Sequence, residues 1–327
     1  MVPIGITKDG AFTLASANPD DYVLRPGQLP EVEDNGTRII WPESADSSEL
    51  WVSGDGVDRS LGNVDVVFPI LHGPFGEDGT IQGMLELFGL PYVGSGVLAS
   101  SLGMDKHFTK TVLQAAGIEV APWRTIKRYD WHKRPQAIRA MAEQMPLPVF
   151  IKPARAGSSV GVGKVSNWDQ FAAAMDTAFL EDDHVLIEAG IVGREVECAV
   201  LQGMPGQPAR ASVAGEIVVS GREFYDFEAK YLGADGIDLV CPAPLSADEL
   251  SELQRLSIRA FEAIDGAGLA RVDFFLTEDG FVLNEINTMP GFTPISMFPR
   301  CWQETGLSYP ELIDELIQVA LAHHAED

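Results

Sequence analysis

The apolar residues of this 327-residue chain come in short runs, and loops rich in glycine and proline separate those runs. No run approaches the roughly 18 consecutive apolar residues that indicate a membrane-spanning helix. Some runs have the spacing of an amphipathic helix, and others have the continuous apolar character of a buried strand. Mixed patterns of this kind, with several long loops, are typical of an α/β or mixed α+β enzyme. The length favours two or three domains.

The charge of the chain excludes some classes of partner. It carries 23 basic and 48 acidic residues, which gives a formal net charge of −25. Such a chain repels phosphate backbones, so we expect no nucleic-acid partner, and an anionic substrate needs a local cationic pocket. The cysteines Cys198, Cys241 and Cys301 lie far apart and form no zinc or disulfide pattern. Since the first residues also lack a signal-peptide pattern, we expect a cytoplasmic protein without a membrane partner.

A Gly-rich segment follows the first strongly apolar run. Residues 64–70 predict a buried strand, and residues 80–89 have the apolar spacing of a helix. Between them lies His72-Gly-Pro-Phe-Gly-Glu-Asp-Gly79, whose glycines let the backbone approach another group closely. Helix capping by Asp78 and an ordinary buried histidine at position 72 explain the same residues, so this segment alone decides nothing.

Asp273, Glu285 and Asn287 form a candidate metal site. Glu285 and Asn287 are two residues apart on a predicted strand, so their side chains lie on one face of it. If residues 278–280 form a three-residue hairpin loop, Asp273 lies opposite Glu285 and three oxygen ligands converge, which suits Mg²⁺. A two-residue loop places Asp273 on the other face, and a solvated hairpin needs no ligand at all. We favour the metal site, because unpaired carboxylates between apolar neighbours are costly.

A second group of candidates is cationic. Lys152 ends an apolar strand and precedes the Gly-Ser loop at 156–161, whose backbone N–H groups could wrap phosphate oxygens. Lys106 and Lys230 could add positive charge, although a solvated surface position is the commoner fate of a single lysine. Glu188 ends another strand, where a carboxylate can accept a hydrogen bond from an adenine amino group or a ribose hydroxyl. An ordinary surface position explains that carboxylate equally well.

Four stretches together resemble the D-alanine–D-alanine ligase family, in the family's order along the chain. Residues 72–83 match the pattern H-G-x-x-G-E-D-G-x-[aliphatic]-Q-G at every position, and residues 283–293 with Ser296 are similar to its second signature. Two further stretches are similar to the family's mobile loops. The first is Lys152-Pro together with residues 157–161, and the second is residues 224–231. A lone match would be weak, whereas four ordered matches are specific. They cover the chain from about residue 60 to its end.

The resemblance implies an ATP-grasp fold, which clasps ATP between its last two domains. We expect an N-terminal α/β domain at 1–104, a central domain at 105–182 and a C-terminal domain at 183–327. The implied activity is ATP-dependent ligation of two D-alanines through an acyl phosphate, for peptidoglycan precursor synthesis. The implied cofactors are ATP and a pair of Mg²⁺ or Mn²⁺ ions, and we expect a homodimer.

The resemblance also implies a role for each matching residue. ATP binding is expected from Lys106, Lys152, Ser158, Ser159, Glu188, Ile191, Glu195 and Lys230. Substrate binding is expected from His72, Glu77, Arg271 and Ser296. Catalytic roles are expected for Arg271, Ser158, Tyr231 and Gly291. The metal ligands are expected to be Asp273, Glu285 and Asn287, which agrees with the argument from the hairpin.

Two departures from the family pattern affect these expectations. Ala189 stands where several members have lysine, so we expect an adenine pocket that differs in detail. The chain opens at Val2-Pro-Ile-Gly-Ile-Thr-Lys8, which is similar to the family's second strand, and lacks the family's Ser-x-Glu-His segment. The glutamate of that segment binds the first substrate's ammonium group. We therefore expect weak binding of the first D-alanine, unless another residue such as Glu77 makes this contact.

The sequence leaves two other activities open. A related ligase could use D-lactate or D-serine as the acceptor, although Tyr231 favours the dipeptide because ester-forming relatives usually differ there. A nucleotide-binding protein with weakened catalysis is the alternative from another class. The intact metal and phosphate motifs argue against that alternative.

Overall fold

The computed structural model describes residues 1–18, 21, 31–157, 160–219 and 237–326. The strands in this part are β1 (Ile4–Ile6), β2 (Phe12–Leu14), β3 (Arg38–Ile40), β4 (Glu49–Gly54), β5 (Val57–Asn63), β6 (Trp123–Lys127), β7 (Val149–Pro153), β8 (Gly163–Val165), β9 (His184–Ala189), β10 (Arg194–Leu201), β11 (Arg210–Val219), β12 (Ile237–Val240), β13 (Leu269–Thr277) and β14 (Gly280–Asn287). The helices are α1 (Thr80–Leu87), α2 (Val97–Met104), α3 (Lys106–Ala115), α4 (Arg128–Lys133), α5 (Pro135–Ala142), α6 (Phe171–Glu181), α7 (Ala247–Ala263), α8 (Met297–Thr305) and α9 (Tyr309–His324). None of the described helices is long and apolar enough to cross a membrane.

A five-stranded antiparallel sheet, in the order β12-β11-β10-β13-β14, carries the C-terminal half of the chain. Alternate residues of a strand point to opposite faces of the sheet. On one face Cys198 and Val272 pack in a buried cluster with residues of α3 and α7. On the other face Ala199 and Leu201 pack with residues of α8 and α9. Helices therefore cover both faces at this end of β10, which explains why its sequence is apolar there.

A four-stranded antiparallel sheet, in the order β6-β9-β7-β8, forms a separate layer. Its strand β7 alternates in burial, with Val149 and Ile151 fully buried and Phe150 and Lys152 partly exposed. Ile151 packs with Phe171 and Met175 of α6, which lies over this face. The opposite face carries Lys152 and Glu188. Helix α3 lies over part of this face, since its Lys110 is 2.9 Å from Glu188 and its His107 contacts Thr125 of β6.

The strands described in the N-terminal region form two small antiparallel sheets, and helices α1 and α2 follow them. β1 pairs with β2 in one antiparallel sheet, and β3, β4 and β5 form another. The buried strand predicted at 64–70 is wrong, because Val67 alone forms a bridge, with Tyr92. A strand needs a hydrogen-bonded neighbour along its length, and Ile70, at the end of this segment, is 56% exposed.

Two boundaries of the expected domains cut through structural units. The boundary after residue 182 separates β9 from the other strands of the four-stranded sheet, in which β9 pairs with both β6 and β7. The boundary before residue 105 groups α3 with that sheet, although Leu113 of α3 packs in the core beneath the five-stranded sheet. The division into three domains stays a prediction.

The core beneath β14 provides a test of this packing. Leu283 is fully buried, and its replacement in Leu283→Ala should lower the free energy of unfolding by about 2–5 kcal/mol through the cavity that it leaves. Val282→Ala, on the half-buried face of the same strand, is the matched control and should lose less than half as much. Urea unfolding followed by circular dichroism measures both. Equal losses would contradict the assignment of the two faces.

Candidate active site

A cavity of about 470 Å³ lies between the two larger sheets and takes its lining from both. The four-stranded sheet contributes Lys152 of β7 and Glu188 of β9, and the five-stranded sheet contributes Arg271, Asp273 and Glu285. One wall therefore carries an ammonium group and the other carries carboxylates with a guanidinium. This arrangement suits a substrate that has both anionic groups and a bound cation.

The β13–β14 hairpin places Asp273 directly opposite Glu285, as predicted, but by a different route. The turn is a two-residue one, because Thr277 pairs with Gly280. A regular ladder from that turn would pair Asp273 with Asn284. Instead, the register shifts by one residue between Phe274 and Asp273, so that Asn284 is the extra residue of a β-bulge. The bulge restores the pairing that the two-residue turn would have lost.

A network of buried charges surrounds Asp273. Arg271 donates two hydrogen bonds to its carboxylate, at 2.7 and 2.6 Å, and the Asn287 amide donates a third at 3.0 Å. Glu197 lies opposite Asp273 on β10, and its carboxylate is 3.3 Å from the Arg271 guanidinium. Burial opposes the charge of Arg271, but the carboxylates of Asp273 and Glu197 outweigh it and raise the pKa of Arg271. The guanidinium is thus held ionised between two acids.

The opposite wall holds a second charged cluster. The Lys152 ammonium donates a hydrogen bond to one oxygen of Glu188 at 2.6 Å. The other oxygen of Glu188 is 2.9 Å from the ammonium group of Lys110, which lies on α3. Lys106, at the start of the same helix, donates to the carbonyl of Ala156 at 2.7 Å. Three lysines from two elements therefore converge on this wall.

The Gly-rich segment that begins at His72 reaches the C-terminal signature. His72 Nδ1 lies 3.1 Å from the carbonyl oxygen of Met289, and burial lowers the pKa of His72, which keeps the ring neutral. Burial raises the pKa of Glu77 to about 7, although backbone N–H groups of Gly73 and Met289 lower it. The two sequence signatures are thus in contact in the folded chain.

Ser296 and Gly291 lie next to each other where the chain enters α8. Ser296 is the residue before the first turn of that helix, and its hydroxyl accepts a hydrogen bond from the backbone N–H of Thr293 at 3.1 Å. A Cβ on Gly291 would come within 3.1 Å of this hydroxyl, so a side chain there would crowd it. The serine hydroxyl is therefore fixed at the helix N-terminus.

The structure places most of the sequence-predicted residues around the cavity. Those that line it are Lys106, Lys152, Glu188, Ile191, Glu195, Arg271, Asp273 and Glu285. The remaining residues in the described ranges contact neighbouring segments instead, and they are His72, Glu77, Asn287, Gly291 and Ser296. Four predicted residues lie outside the described part of the chain, namely Ser158, Ser159, Lys230 and Tyr231.

Two charged residues of this site, Glu197 and Lys110, were not predicted from the sequence. Glu197 is two residues after Glu195, so the strand alternation already put both carboxylates on one face. Lys110 is four residues after Lys106, a spacing that puts both lysines on one side of a helix. Both signals were present, but a charged residue on a solvated surface gives the same pattern.

The raised pKa of Glu77 predicts a dependence of stability on pH. The folded protein keeps the Glu77 proton up to about pH 7, whereas a glutamate with the ordinary pKa of 4.5 has released it. Because the folded state binds more protons between these values, this residue's contribution to stability falls as the pH rises from about 5 to 7. The variant Glu77→Gln should gain stability relative to the unchanged protein over this interval.

Thermal midpoints between pH 5 and 8, in buffer with a chelator, measure the effect. The variant Glu119→Gln, which alters an exposed glutamate, is the control. A constant difference in midpoint between Glu77→Gln and the unchanged protein at every pH would contradict the raised pKa.

Comparison with protein families matches two adjoining models to this chain. The model described as the D-ala D-ala ligase N-terminus matches residues 1–95, and the model of the D-ala D-ala ligase C-terminus matches residues 112–318. A D-alanine–D-alanine ligase of Pseudarthrobacter chlorophenolicus is 49% identical over 325 residues, which cover 98% of this chain and 85% of the relative. The ligase of Mycobacterium tuberculosis is 50% identical over 329 residues, with 98% and 87% covered.

Solved structures agree with these matches. The D-alanine–D-alanine ligase of Coxiella burnetii has a TM-score of 0.80 and 35% identity, over 99% of this chain and 84% of that one. The VanG D-Ala:D-Ser ligase of Enterococcus faecalis has a TM-score of 0.82 and 33% identity, over 98% and 89%. The mixed helix–strand class and the ATP-grasp fold expected from the resemblance are thereby confirmed. Since both family models and relatives at half identity span nearly all of it, the chain belongs to the D-alanine–D-alanine ligase family.

Proposed function

We propose that this chain joins two D-alanines in an ATP-dependent reaction and supplies the dipeptide for peptidoglycan precursors. The observation that carries this proposal is the cavity, which has a lysine cluster on one wall and the Arg271 network on the other. A lysine wall suits the phosphates of ATP, and a guanidinium suits a carboxylate or an oxyanion. The family membership supplies the reaction to which this arrangement belongs.

The reaction that fits has two steps. The carboxylate of the first D-alanine attacks the γ-phosphate of ATP, which gives an acyl phosphate and ADP. The amine of the second D-alanine then attacks the acyl carbon, and phosphate leaves through a tetrahedral intermediate. A free carboxylate is a poor acyl donor, so the phosphate provides the leaving group. The work of the protein is positioning and neutralisation of charge.

Lys152 and Lys106 neutralise phosphate charge in this proposal. Both line the cavity, and both have an oxygen partner in the structure that holds the ammonium group in place. Arg271 steadies the substrate carboxylate and the oxyanion, since its guanidinium also lines the cavity. Ser158, Lys230 and Tyr231 close the site in the family pattern, and they lie outside the described residues.

Glu188 remains a proposed contact of the adenine amino group, and its carboxylate also pairs with two lysines. Both oxygens of its carboxylate face ammonium groups, at 2.6 and 2.9 Å. Each carboxylate oxygen can accept more than one hydrogen bond, so these ion pairs do not exclude a hydrogen bond from the adenine amino group. Ile191 and Glu195, which line the same cavity, remain the proposed contacts of adenine and ribose.

The residues proposed as metal ligands fit a divalent cation. Asp273 and Glu285 face each other across the hairpin, and Asn287 lies on the same face with an amide oxygen. The described residues contain no group of three or more His, Cys, Asp and Glu side chains that could hold a metal ion by themselves. Asp273, Glu285 and Asn287 would supply three oxygen ligands to Mg²⁺, and phosphate oxygens of ATP would supply others. When bound, the metal neutralises phosphate charge, and we propose Mg²⁺ or Mn²⁺ as a pair of ions.

His72, Glu77 and Ser296 are the proposed contacts of the two D-alanines. Glu77 is a candidate for the ammonium group of the first substrate, because its carboxyl is buried beside the second signature and an ammonium group would compensate its charge. The Ser296 hydroxyl, at the N-terminus of α8, suits the carboxylate of the second D-alanine. We also propose a cytoplasmic location, a homodimer, and a central domain that includes β9.

D-serine is a second candidate acceptor. The similar solved structure from Enterococcus faecalis is a D-Ala:D-Ser ligase, so the same fold serves that acceptor in another protein. The assay is phosphate release from ATP with D-alanine, L-alanine, D-serine or D-lactate, each offered alone and then paired with D-alanine. We expect release with D-alanine alone. Faster release with the D-alanine and D-serine pair would favour the second candidate.

The variant Glu285→Gln tests the metal ligands. It removes one negative charge from the hairpin face and keeps the shape of the side chain, so D-alanine-dependent phosphate release should be abolished while the thermal midpoint changes little. Asp279→Asn, in the exposed turn of the same hairpin, is the matched control and should keep normal release. Near-normal turnover in Glu285→Gln would contradict the proposal that Glu285 is a metal ligand.

A further inference from the structure

Lys110 is a buried lysine that the proposed reaction does not use. Its side chain is only 2% exposed, although it carries an ammonium group. Within the described part of the chain, neither this ammonium group nor the Glu188 oxygen beside it makes a well-aligned hydrogen bond. A buried charge is costly unless it is paired. The ion pair with Glu188 at 2.9 Å is therefore what compensates the burial of Lys110.

Glu188 connects Lys110 to the cavity. Glu188 and Lys152 line the cavity, whereas Lys110 lies behind them and does not. Lys152 keeps 15% of its side chain exposed, against 3% for Glu188. Burial disfavours the Glu188 charge, but Lys152 and Lys110 outweigh it and lower the pKa of this carboxyl. The Glu188 carboxylate thus links the buried ammonium group of Lys110 to the ammonium group of Lys152 at the cavity.

The net charge of Lys110, Glu188 and Lys152 determines how strongly the Lys152 ammonium group can attract the phosphates of ATP. Burial lowers the pKa of Lys110, and the Glu188 carboxylate opposes this shift. With the ammonium group of Lys110 ionised beside Glu188, the cluster of two lysines and one glutamate carries one net positive charge. With an apolar residue at position 110, Glu188 and Lys152 would form a neutral pair, and the Lys152 ammonium would be committed to the carboxylate. Phosphate attraction in a site of low dielectric constant depends strongly on such a net charge.

We propose that Lys110 is a positioning residue that shares the Glu188 carboxylate with Lys152 and thereby leaves the Lys152 charge available to the ATP phosphates. This inference rests on the proposed function for its substrate. Lys110 acts through Glu188 and does not touch ATP. Its removal should therefore change the affinity for nucleotide and leave the affinity for D-alanine nearly unchanged.

The test is a comparison of variants by direct nucleotide binding. Isothermal calorimetry with Mg²⁺ and the non-hydrolysable analogue AMP-PNP gives the Kd without any ligation step. Lys110→Met should weaken binding about tenfold or more, which corresponds to about 1.4 kcal/mol. In steady-state assays it should raise the KM for ATP by a similar factor, with the KM for D-alanine within about threefold of normal. Lys133→Met, which alters an exposed lysine, is the control and should bind normally.

A conservative variant separates this role from a merely structural one. Lys110→Arg keeps a positive charge beside Glu188, so its Kd for AMP-PNP should stay within about threefold of normal. A structural role for Lys110 instead predicts that the Kd follows the thermal midpoint of each variant, whichever charge stands at position 110. Lys110→Arg therefore gives an answer even if Lys110→Met fails to fold.

Two results would overturn the proposal. One is a Kd for AMP-PNP within about threefold of normal in folded Lys110→Met, and the other is a folded Lys110→Arg that binds more than about tenfold more weakly than normal. Failure of the proposed function looks different. The unchanged protein would then bind AMP-PNP but release no phosphate with D-alanine, and the comparison of Kd values among variants would still stand.

Discussion

The bulge at Asn284 is the constraint on which the rest of the site depends. With the two-residue turn at 278–279, a regular β13–β14 ladder would pair Asp273 with Asn284 instead of Glu285. Without the bulge, Glu285 would pair with Val272 and point into the apolar core. With it, Arg271, Asp273 and Glu285 share one face of the sheet. A single extra residue thus keeps Glu285 out of the core and places it on the cavity side with Arg271 and Asp273.

The overall charge of −25 does not prevent binding of an anion, because the charges at the cavity are arranged locally. Each cation there already has an acidic or carbonyl partner, with Arg271 on Asp273, Lys152 on Glu188 and Lys106 on Ala156. These partners hold the cations in fixed positions before the substrate binds. Preorganised charge of this kind costs little reorganisation during a reaction, which is why it is effective in catalysis.

Much of the site could be predicted from the sequence, for reasons that differ between residues. The sequence brought Asp273, Glu285 and Asn287 together because alternation on a strand and apolar neighbours constrain carboxylates strongly. The pairing of Asp273 with Glu285 was correct although the turn type was wrong, since the bulge cancelled the error. Lys110 was missed because burial of a lysine depends on tertiary packing, which helical spacing does not reveal. The strand at 64–70 was wrong because apolar character does not provide a pairing partner.

The same face of the five-stranded sheet serves as core at one end and as site at the other. Along β10, Glu197 faces the Arg271 network, and Ala199, two residues further, packs under α8. Gly215 pairs with Glu197, and a Cβ there would come 2.1 Å from the sulfur of Met297 in α8. The helix therefore packs directly against the sheet beside the site. Because Ser296 precedes Met297, this close packing also fixes the position of the Ser296 hydroxyl, which we propose to bind substrate, relative to Arg271.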